Sequence, residues 1–78
     1  MPNADDLPAP NSGFIAKLEY LGQPEGRRRY RGDKRYYEWD NFHGELEVYD
    51  SRGHHLGVVD AITGEDIKPA KRGRRIGV

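Results

Sequence analysis

The sequence predicts a mainly β domain (α+β): a small, highly twisted antiparallel sheet of three to four or more strands, with a short N-terminal helix as an option. The length of 78 residues allows one domain with a thin core. The clean alternation in Glu45–Tyr49 places Leu46 and Val48 on one face and polar side chains on the other. Turn-forming stretches rich in Asp and Gly separate the β-rich stretches, which favours a meander.

The first part of the chain is predicted to be a leader, residues 1–25, followed by a β domain, residues 26–78. Residues 1–13 hold several prolines among small polar residues, which is typical of an extended or disordered segment. Residues 14–21 fit two patterns, a helical stripe and strand alternation, so the helix and the strand both stay open.

The β domain is predicted from aromatic and alternating stretches that turns separate. Trp39 is expected to point into the core, and Leu56 and Val58 to share one face of their strand. The predicted strands cover Tyr30, Arg35–Trp39, Glu45–Tyr49, His54–Val59 and Glu65–Lys68, and the predicted turns cover 40–44, 50–53 and 60–64.

Charge is balanced overall but is sorted along the chain. Thirteen Lys and Arg residues face thirteen Asp and Glu residues. Residues 27–37 hold six basic residues and one acid, residues 68–78 hold five basic residues and no acid, and the stretch between them is acidic. A single basic run is usually a solvated edge; two runs, one interleaved with tyrosines, favour an RNA or phosphate partner.

Several protein classes are excluded by composition. The chain has no cysteine, so it has no disulfide, no zinc-binding thiolate and no cysteine nucleophile. No apolar run approaches the roughly 18 residues of a membrane span, and the first residues lack signal-peptide features. His54 and His55 are adjacent, so on a strand they point to opposite faces, and neither a metal site nor a cofactor is expected.

One cluster of residues has the composition of a catalytic site. Asp40, His43, Glu45 and Glu47 lie within eight residues, with both glutamates on the polar face of one predicted strand. A carboxylate and an imidazole on one surface can act as base and acid, and a nearby arginine can neutralise a phosphate. This set suffices for metal-independent RNA cleavage through the ribose 2′-OH. A solvated strand face with a histidine in the adjoining turn is the alternative interpretation.

The same stretch resembles a known family. The run Tyr37-Glu38-Trp39-Asp40, then two residues, then His43-Gly44-Glu45-Leu46-Glu47-Val48-Tyr49 closely resembles the cytotoxic ribonuclease domain of the E-type colicins and cloacins. The similarity covers roughly fifty residues, in the stretches Gly26–Lys34, Gly53–Gly57, Asp60–Gly64 and Lys71-Arg72 besides that run.

The resemblance implies a function and a setting. It implies an endoribonuclease toxin that cuts 16S ribosomal RNA in the decoding centre of the small subunit without metal and so stops translation. It also implies a bacterial origin, release as part of a toxin, and action in the cytoplasm of a target cell. The expected partners are the small ribosomal subunit and a small acidic immunity protein, with no membrane partner and a monomer when free.

Residue roles carry over by position. Asp40, His43, Glu47 and Arg72 match the catalytic residues of the family. Glu47 is assigned as base and His43 as acid, although the two roles can be exchanged, while Asp40 orients His43 and Arg72 stabilises the transition state. Two further arginines, Arg74 and Arg75, are alternatives to Arg72. The predicted RNA contacts are Tyr49, Glu45, His55, Lys68, Lys71, Arg27, Arg28, Arg29 and Arg31.

Three features depart from the family, and two other functions compete. The segment between the basic stretch and Tyr37 is shorter than in the family, the spacing after Lys68 is also shorter, and the chain is neutral rather than basic. The sequence fits an excised toxin domain and a stand-alone relative equally well. The competing functions are a non-catalytic β module that binds ribosomal RNA through its basic segments, and an interaction protein whose acidic face meets a basic partner.

Overall fold

The computed structural model describes residues 7–78 and shows a mostly β fold, as predicted. Six antiparallel strands form one open sheet in which each strand pairs with its sequence neighbours. The strands are β1 (Glu19–Gly22), β2 (Arg29–Gly32), β3 (Arg35–Asp40), β4 (Glu45–Tyr49), β5 (His55–Asp60) and β6 (Asp66–Pro69). The meander is favoured because short turns join consecutive strands, and these turns need only local contacts.

Side-chain carboxylates build the turns at the ends of the central strands. Oδ1 of Asp60 accepts hydrogen bonds from the backbone N–H groups of Ile62 and Thr63. Oδ1 of Asp50 accepts in the same way from Arg52 and His54. These backbone N–H groups bond to a side chain and not to a neighbouring strand. The chain therefore reverses direction at the turns that the Asp and Gly residues predict.

The core lies on one face of the sheet. Leu46 and Val48 of β4 are buried there, as the alternation predicts, and Trp39 is buried beside them. The indole N–H of Trp39 donates to the carbonyl oxygen of Leu7 at 3.0 Å, which ties residues before the sheet to its core. In β5 the core residue is Val59, whereas Val58 lies opposite Glu47 on the other face.

In the ambiguous stretch 14–21 the predicted helix is reduced to one short turn, and the predicted strand occupies only the second half. A single 3-10 turn covers Ile15–Lys17, and strand β1 follows it. The N–H groups of Phe14 and Ile15 donate to the carbonyls of Ile62 and Ala61, and Ile15 is buried in the core. Part of the predicted leader therefore packs into the domain, while residues 1–6 of that leader lie outside the described part of the chain.

The second face of the sheet is strongly polar, and we call it the polar face. The cross-strand register places its residues opposite one another: Arg29 with Glu38, Glu38 with Glu47, Asp40 with Glu45, and Tyr49 with His55. Side chains that are paired across antiparallel strands lie close together, so charged groups from four strands meet on this face.

In residues 7–78 no helix is long and apolar enough to cross a membrane.

Candidate active site

The Asp40–His43 pair lies where β3 ends and the following turn begins. Oδ1 of Asp40 accepts from the backbone N–H groups of Phe42 and His43, which folds the turn back over the carboxylate. Oδ2 of Asp40 lies 2.8 Å from Nδ1 of His43. The Asp40 side chain is buried, whereas the His43 side chain is 63% exposed. The pair thus holds Nδ1 toward the protein and leaves Nε2 for an external group.

The hydrogen bonds around Asp40 keep its carboxyl group ionised. Burial alone would raise the pKa of Asp40. The hydrogen bond with the His43 ring and those from the Phe42 and His43 backbone outweigh that effect, so the pKa is lowered. An ionised Asp40 fixes the ring orientation of His43 and favours a hydrogen on its Nδ1, the arrangement that acid–base histidines use.

A second histidine–carboxylate pair is buried in the middle of the polar face. Nε2 of His55 lies 2.9 Å from Oε1 of Glu47, and the two side chains are 2% and 4% exposed. The backbone N–H of Lys71 donates to Nδ1 of His55 at 2.8 Å. Because Nδ1 accepts that bond, the ring hydrogen resides on Nε2, which donates to Glu47.

Residues 71–78, which we call the crossing segment, cover this buried pair. Nη1 of Arg74 lies 3.1 Å from Oε1 of Glu47. The backbone carbonyl of Arg74 accepts from the N–H of His55, and the N–H of Ile76 donates to the carbonyl of Gly53. The segment then reaches β2, where Nη1 of Arg29 donates to the carbonyl of Gly77. It therefore runs across the polar face from β5 to β2.

A third charged pair neighbours Glu47 on the opposite side. Nε of Arg29 donates to Oε2 of Glu38 at 2.9 Å, and both side chains are 5% exposed. Glu38 lies directly opposite Glu47 in the register of β3 and β4. Two buried carboxylates can be neighbours here because each has its own guanidinium partner, Arg29 for Glu38 and Arg74 for Glu47.

Glu45 connects the two histidine pairs along β4. It lies opposite Asp40 in the register and shares the polar face with Glu47, two residues away. Neighbouring side chains on one strand face are about 7 Å apart. Oε1 of Glu45 pairs with Nζ of Lys68 at 3.1 Å across the sheet. The Asp40–His43 pair and the Glu47–His55 pair therefore lie on adjacent parts of the polar face.

Tyr49 completes the buried end of the site. Its ring meets the His55 ring edge-on, with ring centres 5.2 Å apart. Burial raises the pKa of Tyr49, with Arg74 acting in the opposite direction and Glu47 adding to the rise. The phenol therefore remains neutral at neutral pH and can donate a hydrogen bond.

The predicted catalytic residues divide into two groups in the structure. Asp40 and His43 are in direct contact, and Glu47 lies on the same face with Arg74 as its guanidinium partner. Arg72, the predicted catalytic arginine, is exposed, and its side chain makes no described contact within residues 7–78.

The predicted RNA contacts also divide by exposure. Arg28 and Arg31 are exposed, Arg27 is half-buried, and Lys68 and Glu45 pair with each other. The prediction for Arg29 and His55 meets a physical obstacle, because both side chains are buried and bonded inside the domain. Arg29 cannot reach RNA in this conformation without giving up Glu38, and His55 cannot do so without giving up its bonds to Glu47 and to the Lys71 N–H.

Two residues of the polar face escaped sequence reasoning. Glu38 and Glu25 both bind Arg29, and neither belongs to the predicted site. The signal for Glu38 was present, because a tight turn at Asp33-Lys34 sets Arg29 opposite Glu38 in the hairpin. Among residues 7–78 no group of three or more His, Asp or Glu side chains has the arrangement of a metal site.

The fold and the polar face define a small antiparallel sheet domain that carries an exposed and a buried histidine–carboxylate pair. A family model described as Cytotoxic matches residues 5–77, so the chain belongs to the Cytotoxic family. The resemblance to E-type colicins and cloacins is thereby confirmed.

The relatives of this chain are bacterial toxins of Escherichia coli. It is 49% identical to cloacin over 77 residues, which is 82% of this chain and 14% of cloacin. It is 53% identical to colicin E3 and 51% identical to colicin E6, each over 45 residues, which is 54% of this chain and 8% of each relative. The chain therefore spans a small part of the length of these relatives.

Proposed function

We propose that this domain is a ribosome-targeting endoribonuclease that cleaves 16S ribosomal RNA in the decoding centre and thereby stops translation. The observation that carries the proposal is the geometry of one face in a chain of the Cytotoxic family. An exposed His43, oriented by an ionised Asp40, shares that face with Glu47.

The proposed reaction is attack of a ribose 2′-OH on the adjacent phosphorus. Glu47 removes the 2′-OH proton, the oxygen bonds to phosphorus, and the bond from phosphorus to the 5′ oxygen breaks. His43 gives a proton to that leaving oxygen. The products are a 2′,3′-cyclic phosphate and a 5′-hydroxyl, and solvent then returns a proton to His43 and takes one from Glu47. The opposite assignment of acid and base produces the same products.

The remaining residues have supporting roles in this proposal. The Glu47 side chain is only 4% exposed, and both of its described contacts fall on Oε1. No fully buried side-chain oxygen of the described residues lacks a hydrogen-bond partner, so Oε2, which has no described partner, is the oxygen that solvent still reaches and that takes the substrate proton. Arg74 and His55 hold the carboxylate and balance its charge. Arg72 is exposed in the preceding turn and is the arginine that can meet the phosphate as negative charge develops on it.

Surface charge supports an RNA substrate and an acidic protein partner. Arg28 is exposed, and its carbonyl accepts from the N–H of Trp39, so its backbone lies at the Asp40 end of the sheet. Its guanidinium lies 4.3 Å from the centre of the Tyr20 ring, and its Nε donates to the Tyr30 hydroxyl. Phosphate contacts from such basic residues supply most of the affinity for RNA. An acidic immunity protein would be attracted to the same residues and would block substrate access. Release with a bacterial toxin and action in the cytoplasm of a target cell complete the proposal.

A cleavage assay on intact bacterial ribosomes tests the proposed function. The purified chain is incubated with ribosomes in the presence of EDTA, and the extracted RNA is separated on a gel. We expect one short 3′ fragment of small-subunit RNA from the wild type and from the matched control His54→Ala. His54 is exposed and interacts only loosely with Asp50, at 3.5 Å.

The variants His43→Ala and Glu47→Gln separate the competing functions. The enzyme proposal expects both variants to sediment with ribosomes and to lose about a hundredfold or more of the cleavage rate. Intact RNA from a wild type that still sediments with ribosomes would support the binding module instead. Weakened ribosome association in Glu47→Gln, with no cleavage by any variant, would support the acidic interaction face.

A further inference from the structure

Arg29 connects the sheet to the crossing segment. Its Nε donates to Glu38, its Nη2 donates to Oε1 of Glu25 at 2.9 Å, and its Nη1 donates to the carbonyl of Gly77 at 2.7 Å. The side chain is 5% exposed. All three guanidinium nitrogens are therefore committed inside the domain, and the residue lies beyond the reach of a phosphate.

Glu25 holds the same residue, Gly77, from the other side. Its Oε1 accepts both from Arg29 and from the backbone N–H of Gly77, the latter at 3.1 Å. A Cβ atom at Gly77 would lie 2.9 Å from Oε2 of Glu25, so a glycine suits this close approach. Glu25 and Arg29 thus bind the N–H and the carbonyl of one residue.

Arg74, the residue of the crossing segment that contacts Glu47, lies three positions before Gly77. Arg74 contacts Glu47 from the crossing segment, and the N–H of Ile76 is bonded to Gly53 between the two points. The backbone between Arg74 and Gly77 is short, so fixing Gly77 limits where the Arg74 guanidinium can lie. A displacement of about 1 Å at a reacting group can reduce a rate by about a hundredfold.

We propose that Glu25 and Arg29 form a clamp on Gly77 that positions Arg74 against Glu47. Arg29 is in this view a positioning residue of the active site and does not contact RNA. The inference rests on the proposed function for its effect on catalysis, but the clamp itself concerns the structure of the free domain.

The chemistry of the clamp requires arginine at position 29. A guanidinium offers donors in a rigid fork, and here these reach Glu38, Glu25 and Gly77 at once. A lysine ammonium is a compact point charge and can satisfy the buried Glu38 without spanning all three acceptors. Arg29→Lys therefore keeps the buried charge pair and releases the crossing segment.

The first experiment tests the clamp by a measurement that does not depend on catalytic activity. Amide hydrogen exchange at Ile76 and Gly77 is followed by NMR in the wild type, Arg29→Lys and Glu25→Ala. We expect exchange about tenfold faster or more in both variants, because the anchored backbone opens locally. Glu65→Ala is the matched control for Glu25→Ala. Glu65 is exposed, and its removal changes the net charge by the same amount, so exchange at Ile76 and Gly77 should be unchanged. Unchanged exchange in Glu25→Ala and Arg29→Lys would overturn the clamp.

The second experiment measures cleavage kinetics on ribosomes. We expect Arg29→Lys to lower kcat about tenfold to a hundredfold with KM unchanged, and the double variant with Arg74→Lys to be no slower than Arg74→Lys alone. A raised KM, with a salt dependence weaker by about one phosphate contact, would make Arg29 an RNA contact and overturn the proposal.

Two outcomes separate the clamp from the proposed function. If Arg29→Lys fails to fold, Glu25→Ala carries the same test, because Glu25 is half-exposed and its loss leaves the Arg29–Glu38 pair intact. If the wild type cleaves no RNA, the proposed function fails, while the exchange measurement still decides whether the clamp exists.

Discussion

Nε2 of His55 donates to Oε1 of Glu47 across 2.9 Å in a position that solvent hardly reaches. The Asp40–His43 pair has the opposite character, because its histidine is mostly exposed. The polar face therefore separates two tasks. In the proposed reaction the exposed pair exchanges a proton with the substrate and then with solvent, whereas the buried histidine fixes the orientation of Glu47, the proposed base.

Removal of the buried histidine should destabilise the domain. His55→Ala leaves Glu47 with Arg74 as its described partner and removes the acceptor for the Lys71 N–H. Breaking a buried, hydrogen-bonded pair costs about 3 kcal/mol. Urea unfolding should therefore show the free energy of unfolding reduced by an amount of that order. His54→Ala, at the exposed neighbour, should stay within about 0.5 kcal/mol of the wild type. Equal effects of the two substitutions would contradict the buried pair.

The stability of the domain should fall in acid partly through Asp40. Hydrogen bonds lower the pKa of Asp40 in the folded state despite its burial. A carboxyl group with a lowered folded pKa stabilises the fold above its unfolded pKa, about 3.9, and this contribution is lost as the pH falls through the folded value. Asp40→Asn lacks that contribution at every pH.

Urea unfolding at a series of pH values checks this prediction. The difference in unfolding free energy between the wild type and Asp40→Asn should shrink as the pH falls below about 4. Asp50 and Asp60, whose pKa values are also lowered, are present in both proteins and cancel in the comparison. Asp33→Asn, in the exposed β2–β3 turn, is the control. A difference that stays constant down to pH 2 would contradict the pKa argument.

Arg27 and Arg28, at the Asp40 end of the sheet, should contribute to the salt dependence of ribosome binding. Arg27 and Arg28 lie at the end of the sheet that carries Asp40, since the Arg28 carbonyl accepts from the Trp39 N–H. Each phosphate contact contributes about one unit to the slope of log affinity against log salt. The double substitution of Arg27 and Arg28 by alanine should therefore reduce that slope by about one to two.

The control for this measurement is Arg35→Ala, at the opposite end of β3. It removes a positive charge from the same basic run, and we expect a smaller change in slope. Sedimentation of ribosomes at several salt concentrations gives both slopes. Equal slopes for the wild type and the Arg27/Arg28 variant would show that these arginines do not contact RNA.

The crossing segment should need a glycine at position 53, beneath it, to keep its place on the polar face. Gly53 has a φ of +88°, and a Cβ atom there would collide with the carbonyl oxygen of Ile76. Gly53→Ala should destabilise the domain by about 2 kcal/mol and displace the crossing segment. Gly22→Ala is the control, because Gly22 has a φ of +91° with no neighbour within 4 Å of an added Cβ. It should cost about 1 kcal/mol, as backbone conformation alone requires. If urea unfolding shows the same loss of unfolding free energy in Gly53→Ala and Gly22→Ala, the collision with Ile76 does not contribute.

The sequence predicts the parts of the site that depend on local spacing. Asp40 and His43 are three residues apart across a turn, and a side-chain bond of this kind follows from turn chemistry. The alternation of β4 correctly separates Leu46 and Val48 from Glu47. These features need only neighbouring residues, so periodicity and turn signals are enough to find them.

The parts that the sequence does not reveal depend on long-range contacts. The Glu47–His55 pair depends on the register of β4 and β5, which shifts at Tyr49. The path of the crossing segment depends on the bond between Arg29 and Gly77, which are 48 residues apart. Arg29 lies in a run of basic residues that looks solvated, but its strand partner and the crossing segment bury it. No periodic pattern encodes these approaches, because they arise only when the sheet has formed.

The chemistry of the cut ends tests the central claim most directly. The fragments made from ribosomes in EDTA are isolated, and their termini are identified by mass spectrometry. Attack by the 2′-OH through Glu47 and His43 predicts a 2′,3′-cyclic phosphate on one fragment and a 5′-hydroxyl on the other. A 3′-hydroxyl with a 5′-phosphate, or no cleavage at all in EDTA, would contradict it.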